Sequence, residues 1–219
     1  MMKMMVLLCF SGLLAGCAVF DSADFKYLDN ENQEMHTVLV TGAEQVVEIS
    51  LPKSRTVRLP DTLFMKPSGL QLGYVAAFSF PYEQLWSGPL RKNKMLYWFS
   101  MGFTYSNGRH MLSEDVDTRM GAVTKFYEGF DESIWRDVVL ERLVVEQYIS
   151  PQGYEWVMEN RPTTRRHREH FTLPISDERE LAIAFWYNDD WAKDHPEWYE
   201  RRKALSRRIL DSVKLSAPK

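Results

Sequence analysis

Short apolar and β-branched segments, separated by turn-forming residues, predict a chain dominated by β-strands. Residues 140–160 read as a hairpin around Ser150-Pro151-Gln152-Gly153, because clusters of this composition form turns. Residues 180–187 are apolar at both alternating sets of positions, which is typical of an internal strand covered on both faces. The predicted strands occupy residues 36–41, 45–51, 55–59, 70–80, 94–105, 140–149, 154–160, 171–175 and 180–187.

Helical patterns are fewer. The clearest predicts a C-terminal helix that starts at Pro196, with Asp194 as its cap, and ends between residues 211 and 214. Its apolar face is marked by Trp198, by Ala204 or Leu205, and by Ile209 and Val213. The arginines Arg201, Arg202, Arg207 and Arg208 are expected on the opposite face. A second helix is predicted over residues 113–120, capped by Ser113, and a short turn over residues 82–86. Together these patterns predict an α+β fold, mainly an antiparallel β-sheet with a long C-terminal helix packed on it.

The first residues carry a targeting pattern. Lys3 precedes an apolar stretch, residues 4–14, that is shorter than the about 20 residues needed to cross a bilayer. The following Leu14-Ala15-Gly16-Cys17 resembles the bacterial lipobox. The resemblance implies cleavage before Cys17, acylation of Cys17 and a lipid anchor. Because Ala18, and not Asp, follows the cysteine, it also implies the periplasmic face of the outer membrane.

The chain divides accordingly into three parts. Residues 1–16 are the expected signal peptide, residues 17–34 the acylated cysteine and a polar, acidic tether, and residues 35–219 a single globular domain. The two cysteines are Cys9 and Cys17, so the predicted domain has no disulfide, cysteine zinc site or cysteine nucleophile.

The C-terminal part resembles the Mog1/PsbP-like fold. The resemblance rests on the strand at residues 180–187, the following helix and the closing segment at residues 209–215. It implies an antiparallel sheet with helices on its faces and a binding or accessory role. It carries no catalytic motif.

The amino-acid composition excludes several classes of protein. Hydrophobic residues make up 45% and charged residues 26% of the chain, which excludes a disordered protein, and the net charge of -3 shows no basic excess typical of a nucleic-acid binder. Nucleophile-elbow, zinc-protease and nucleotide-binding motifs are absent. We therefore expect no enzymatic activity, no cofactor and no metal site. Arg168 lies between His167 and His170, and its positive charge disfavours a cation there.

A change of charge sign marks the C-terminal third. Residues 17–160 carry 13 basic and 20 acidic groups, whereas residues 161–219 carry 13 basic and 10 acidic groups. The basic cluster is sharpest at Arg165, Arg166 and Arg168, which is interpreted as a solvated loop or as a patch that contacts an acidic partner or lipid headgroups. Trp191 and Trp198 are the tryptophans expected near a surface groove, because this residue type is enriched at interfaces.

These observations predict a lipid-anchored envelope protein. It is expected to act in the periplasm as a non-catalytic binding or accessory factor for a protein or an amphiphilic ligand. Three alternatives remain open: an immunity lipoprotein against an exported toxin, a cell-wall or lipid-acting hydrolase, and a structural part of an envelope machine.

Overall fold

A computed structural model describes residues 33–41, 45–53, 59–64, 74–85, 94–105, 115–129, 140–162, 166–176 and 179–217. Its strands are β1 (Met35–Thr41), β2 (Val46–Pro52), β3 (Thr62–Phe64), β4 (Tyr74–Leu85), β5 (Lys94–Tyr105), β6 (Val144–Ile149), β7 (Glu155–Pro162), β8 (Arg166–Pro174), β9 (Arg179–Asn188) and β10 (Lys214–Ser216). Its helices are α1 (Val116–Glu128), α2 (Asp189–Asp194) and α3 (Pro196–Asp211).

Six strands form the larger sheet, in the order β4-β5-β9-β8-β7-β6, and every neighbouring pair is antiparallel. Strand β9 is internal. Ile183 and Phe185 on one of its faces have no exposed surface, and Ala182 and Ala184 on the other are also buried. The prediction of an internal strand covered on both faces is therefore confirmed, as is the hairpin formed by β6 and β7.

A smaller sheet has the order β10-β2-β1-β3. Strand β2 is antiparallel to both β1 and β10, whereas β3 is parallel to β1. The C-terminal β10 thus returns to the N-terminal hairpin after α3. The fold is α+β, with mostly antiparallel sheets and a C-terminal helix, as predicted from the sequence.

One hydrophobic core joins both sheets to α3. It contains Val38 and Ile49 from the smaller sheet, Phe185 from the larger one, and Leu205 and Ile209 from α3. Because apolar side chains of all three elements are removed from water together, the hydrophobic effect holds the sheets and the helix in one unit. A second small cluster packs α1 on β7 through Val123, Tyr127 and Val157.

The helix ends follow local chemistry. Pro196 occupies the first turn of α3, as predicted, but His195 and not Asp194 stands at the cap position, and its side chain makes no capping hydrogen bond. Helix α1 is capped by Asp115, whose carboxylate accepts the Thr118 N–H at 2.8 Å. This hydrogen bond lowers the pKa of Asp115. The predicted cap Ser113 lies outside the described residues.

Two local predictions need correction. Residues 82–85 continue β4 and do not form a turn, because they pair with β5. Residues 166–170 belong to β8 and not to a loop, since β8 pairs with both β7 and β9. The segment after β9, for which no helix was predicted, forms α2, where the Asn188 side chain accepts the Trp191 N–H at 3.0 Å. The predicted strand over residues 55–59 lies mostly outside the described residues.

Within the ranges given above, no helix is both long and apolar enough to cross a membrane.

Candidate functional site: the two faces of the larger sheet

The larger sheet has two chemically different faces. The helix face lies against α3 and carries Tyr97, Phe185, Tyr187 and Glu169. Because neighbouring residues of a strand point to opposite faces, Trp98, Trp186 and Arg168 lie on the other side. We call this side the outer face. Helix α1 covers its β7 end through Val157.

The helix face contains a buried ion pair. Arg202 of α3 donates from Nε and Nη2 to the two carboxylate oxygens of Glu83 in β4, at 2.8 and 2.6 Å. The indole N–H of Trp198 donates to the same carboxylate at 2.9 Å. Both charged side chains are almost completely buried. The group therefore joins α3 to β4 inside the protein.

A second group of polar side chains lies between α3 and the larger sheet. The Ser206 hydroxyl lies 2.9 Å from the Tyr97 hydroxyl and 2.7 Å from that of Tyr187. Tyr187 donates to Glu169 at 3.1 Å, and Arg207 donates to both oxygens of Glu169 at 3.0 and 3.1 Å. Burial raises the pKa of Tyr97 and of Tyr187 well above 10. These phenols stay protonated at neutral pH, and the group orients α3 on the sheet.

The outer face carries a row of aromatic and cationic residues. Trp98 of β5 lies opposite Trp186 of β9, which in turn lies opposite Arg168 of β8. The Arg168 guanidinium carbon is 4.7 Å from the centre of the Trp186 ring, within the range of a cation–π contact. All three side chains are half-buried. We call these three residues the aromatic–cationic row.

Two further arginines lie close to the row along the backbone. Arg161 of β7 is the Cα partner of Arg168, and Arg166 lies two positions before Arg168 in β8. Only the backbone of these two residues is described.

The next residues on the outer face form a buried acid–imidazole pair. His170 Nδ1 lies 2.6 Å from Glu159 Oε1, and the side chains are 9% and 5% exposed. In the neighbouring strands, Ala184 of β9 is the partner of His170, and Ser100 of β5 is the partner of Ala184; both are small residues. Glu159 thus contacts His170, which lies two residues after Arg168 in β8.

The residues proposed as partner-binding from the sequence lie in different places. Arg168 is part of the aromatic–cationic row. Trp191 is half-buried in α2, with its ring 3.8 Å from that of His195. Trp198 is only 3% exposed, so the prediction that it lies near a surface groove is wrong: its indole binds Glu83 in the core.

Some of the site residues predicted from the sequence are not described by the structure, or are described only in part. Cys17 and Arg165 lie outside the described residues, and for Arg166 only the backbone is described. Trp98 and Trp186 were not singled out from the sequence, because their strands read as apolar core. Only the pairing of β5 with β9 shows that these two tryptophans are neighbours. No local sequence pattern contains that pairing.

Within the described part of the chain, no three His, Cys, Asp or Glu residues come together as a group that could hold a metal ion. Comparison of the sequence and structure with known protein families, curated proteins and solved structures found no match.

Proposed function

We propose that this protein is a lipid-anchored factor of the bacterial cell envelope that binds a partner or an amphiphilic ligand without catalysing a reaction. Cys17 would carry the anchor at the periplasmic face of the outer membrane. The observation that carries the binding role is the aromatic–cationic row of Trp98, Trp186 and Arg168.

The anchor is supported by the residues around Cys17. Lys3, the apolar residues 4–14 and the small residues before Cys17 follow the order of a lipoprotein signal. Each buried acyl CH₂ contributes about 0.8 kcal/mol to membrane binding, so several chains on one cysteine give stable attachment. The polar residues 18–34 would then connect the anchor to β1, which begins at Met35.

The binding role is supported by residue chemistry. Tryptophan and arginine are among the side chains most enriched where binding energy concentrates, because they combine a large contact area with polar groups. In the aromatic–cationic row both types are half-buried, so they are rigidly packed yet retain accessible surface. The polar groups of the helix face form pairs that hold α3 on the sheet.

Comparative pull-downs test the proposal. The full chain with a C-terminal tag would be purified from envelopes in mild detergent, next to Trp186→Ala and Arg168→Gln. Arg201→Gln is the matched control, because Arg201 is exposed on α3 and pairs only with Glu197 among the ion pairs described. We expect wild type and control to recover a component that both outer-face variants lose. Identical recoveries from all four folded proteins would contradict the binding role of the row.

A further inference from the structure

We infer that two copies of this chain pair through their β6 strands, so that the two larger sheets join across a two-fold axis at Gln147. The contact uses the β6 edge, meaning the side of β6 that faces away from β7. This edge is separate from the aromatic–cationic row, because β7 lies between β6 and the strand β8 that carries Arg168. Self-association is therefore a second property, independent of the proposed binding function.

The β6 edge lacks the features that usually protect the edge strands of monomeric proteins. Strand β6 is the last strand of the larger sheet, and no strand in the described part of the chain pairs with its far side. Proteins block such edges by short strands, lysine, proline and bulges. Strand β6 has six residues, contains neither lysine nor proline, and pairs with β7 in unbroken register.

The other edges of the two sheets carry such protective features. Strand β4, at the opposite end of the larger sheet, contains Pro81 and pairs with β5 through several register shifts. The edges of the smaller sheet, β3 and β10, have three residues each, and β10 carries Lys214. Among the edges that the structure describes, the β6 edge is therefore the most open to a further strand.

Exposed apolar side chains concentrate on the same strand. Of the three large hydrophobic residues that are exposed in the described ranges, Val144 and Ile149 lie on β6, and Ile149 is 59% exposed. The third, Leu39, lies within β1 of the smaller sheet. Each Å² of apolar surface removed from water contributes about 25 cal/mol, so a strand that covers Ile149 is favoured.

The backbone groups of β6 alternate between its two sides. The Ser150 N–H donates to the Tyr154 carbonyl at 3.0 Å, so Ser150 directs its N–H group toward β7. This direction alternates from residue to residue in an antiparallel pair, and Val145, Gln147 and Ile149 therefore direct their N–H and C=O groups to the β6 edge. A second strand can bond to these groups only through residues that also face outward.

This restriction allows a self-complementary antiparallel register. When Gln147 lies opposite Gln147 of the second copy, Val145 lies opposite Ile149, and each of these pairs can exchange two backbone hydrogen bonds. The Val145–Ile149 contact occurs twice, because a two-fold interface repeats every pair. Val145 already packs beside the small cluster around α1, so Ile149 of the second copy extends that cluster.

Charge and backbone chemistry disfavour the neighbouring registers. At the proposed register Glu146 lies opposite Tyr148, so no like charges are direct partners. A shift by two residues in one direction places Glu146 opposite Glu146, where like charges repel each other. The same shift in the other direction places Val145 opposite Pro151, which has no N–H to donate.

Disulfide trapping tests the register. The mature chain expected from the lipobox, residues 17–219 with Cys17→Ser, contains no cysteine, so Gln147→Cys introduces a single thiol. The two Cα atoms at the axis would lie about 5.5 Å apart, within the about 4.4–6.8 Å that a disulfide spans. Ile149→Cys is the matched control: the position is also exposed, but its two copies would lie more than about 13 Å apart. We expect only Gln147→Cys to form a covalent dimer under mild oxidation.

Sedimentation equilibrium measures the association without a cross-link. A contact limited to one strand is smaller than the about 800 Å² per partner of a stable complex, so we expect a dissociation constant of about 10–100 µM. Gln147→Pro should weaken the association about tenfold or more, because it removes a donor that faces the second copy and none that faces β7. Ile149→Lys should weaken it similarly. Leu39→Lys also replaces an exposed apolar residue, and it should associate as wild type does.

Melting curves establish that each variant is folded. A wild-type chain that stays monomeric at about 500 µM would overturn the inference, and so would equal cross-linking of Gln147→Cys and Ile149→Cys. A dimer that persists unchanged in Gln147→Pro and Ile149→Lys would also overturn it, because another surface would then join the copies. These results are distinct from the pull-down that tests the proposed function, which depends on Trp186 and Arg168.

Discussion

The guanidinium of Arg202 and the carboxylate of Glu83 form a bidentate ion pair in the interior, although the two residues are 119 positions apart in the chain. The pair is the charged connection between α3 and β4. Removing two charges from water costs several kcal/mol for each ion, and close contact with additional hydrogen bonds offsets that cost. The Trp198 N–H supplies such a hydrogen bond.

Breaking this pair should destabilise the protein strongly. Arg202→Met leaves the Glu83 carboxylate buried without its cation, and we expect the free energy of unfolding to fall by about 3–5 kcal/mol. The double variant Glu83→Leu with Arg202→Met removes both charges and should be markedly more stable than the single variant. Urea unfolding followed by circular dichroism measures both. A double variant no more stable than Arg202→Met would contradict the role assigned to the charge.

Phe185 should be a major contributor to the core. It has no exposed surface and lies in the internal strand β9, against Phe99 and Phe171. Phe185→Ala should reduce the free energy of unfolding by about 3–5 kcal/mol, because it removes buried area and leaves a cavity. Leu39→Ala is the control, since Leu39 is 41% exposed. An unchanged melting temperature for Phe185→Ala would show that the β9 position is incorrect.

Stability should decrease as the pH falls below about 6.5, in part because of His167. Burial lowers the pKa of His167, against the opposing effect of the Glu169 and Asp189 carboxylates, and Lys203 lowers it further. As the pH falls through the ordinary histidine pKa, the unfolded chain gains a proton that the folded protein does not, so unfolding becomes more favourable. The loss is complete below the folded-state pKa.

Denaturation midpoints between about pH 7.5 and about pH 5 measure this effect. His167→Gln should flatten the decline relative to wild type, because it removes the group whose pKa burial lowers. The same slope in wild type and His167→Gln would exclude His167 as a source of the pH dependence.

Cys17→Ser should abolish lipid attachment, because the hydroxyl replaces the thiol that the lipobox resemblance marks for acylation. Cells would be labelled with a fatty-acid analogue and fractionated into membrane and soluble parts. We expect wild type to carry label in the outer membrane and the variant to carry none. Label retained by Cys17→Ser would contradict the lipoprotein prediction.

Salt should weaken partner recovery if the basic segment takes part in binding. The Debye length falls from about 10 Å at 0.1 M salt to about 3 Å at 1 M, so attraction to an anion is screened. Replacing Arg165, Arg166 and Arg168 together with Ser should lower recovery at low salt and remove most of the salt dependence. Equal recovery by both folded proteins would exclude the segment from the interface.

Much of the fold could be predicted because it depends on local patterns. The strand over residues 94–105 was predicted with its exact bounds, and the turn at residues 150–153 marked the β6–β7 hairpin. Pro196 and the apolar positions of α3 likewise predicted its start and its buried side. Turn chemistry and side-chain periodicity act over a few neighbouring residues, so a sequence displays them directly.

Polar residues caused the clearest failures. Arg202 was assigned to the solvent side of α3, and the basic cluster around Arg166 and Arg168 was interpreted as a solvated loop or as a contact patch. In the structure Arg202 pairs with Glu83, Glu169 pairs with Arg207, and His170 pairs with Glu159. A charged side chain can be buried when a partner compensates its charge, and those partners come from other strands or helices.

The sequence by itself determined the strands and helices with strong local signals and the α+β class, and it predicts the lipobox-like pattern that ends at Cys17. Only the tertiary structure decided that Trp98, Trp186 and Arg168 form one row and that Trp198 is in the core. Strand order and register are set by contacts between segments far apart in the chain. A one-residue change of register would move each side chain to the opposite face, so the outer face exists only once the sheet has formed.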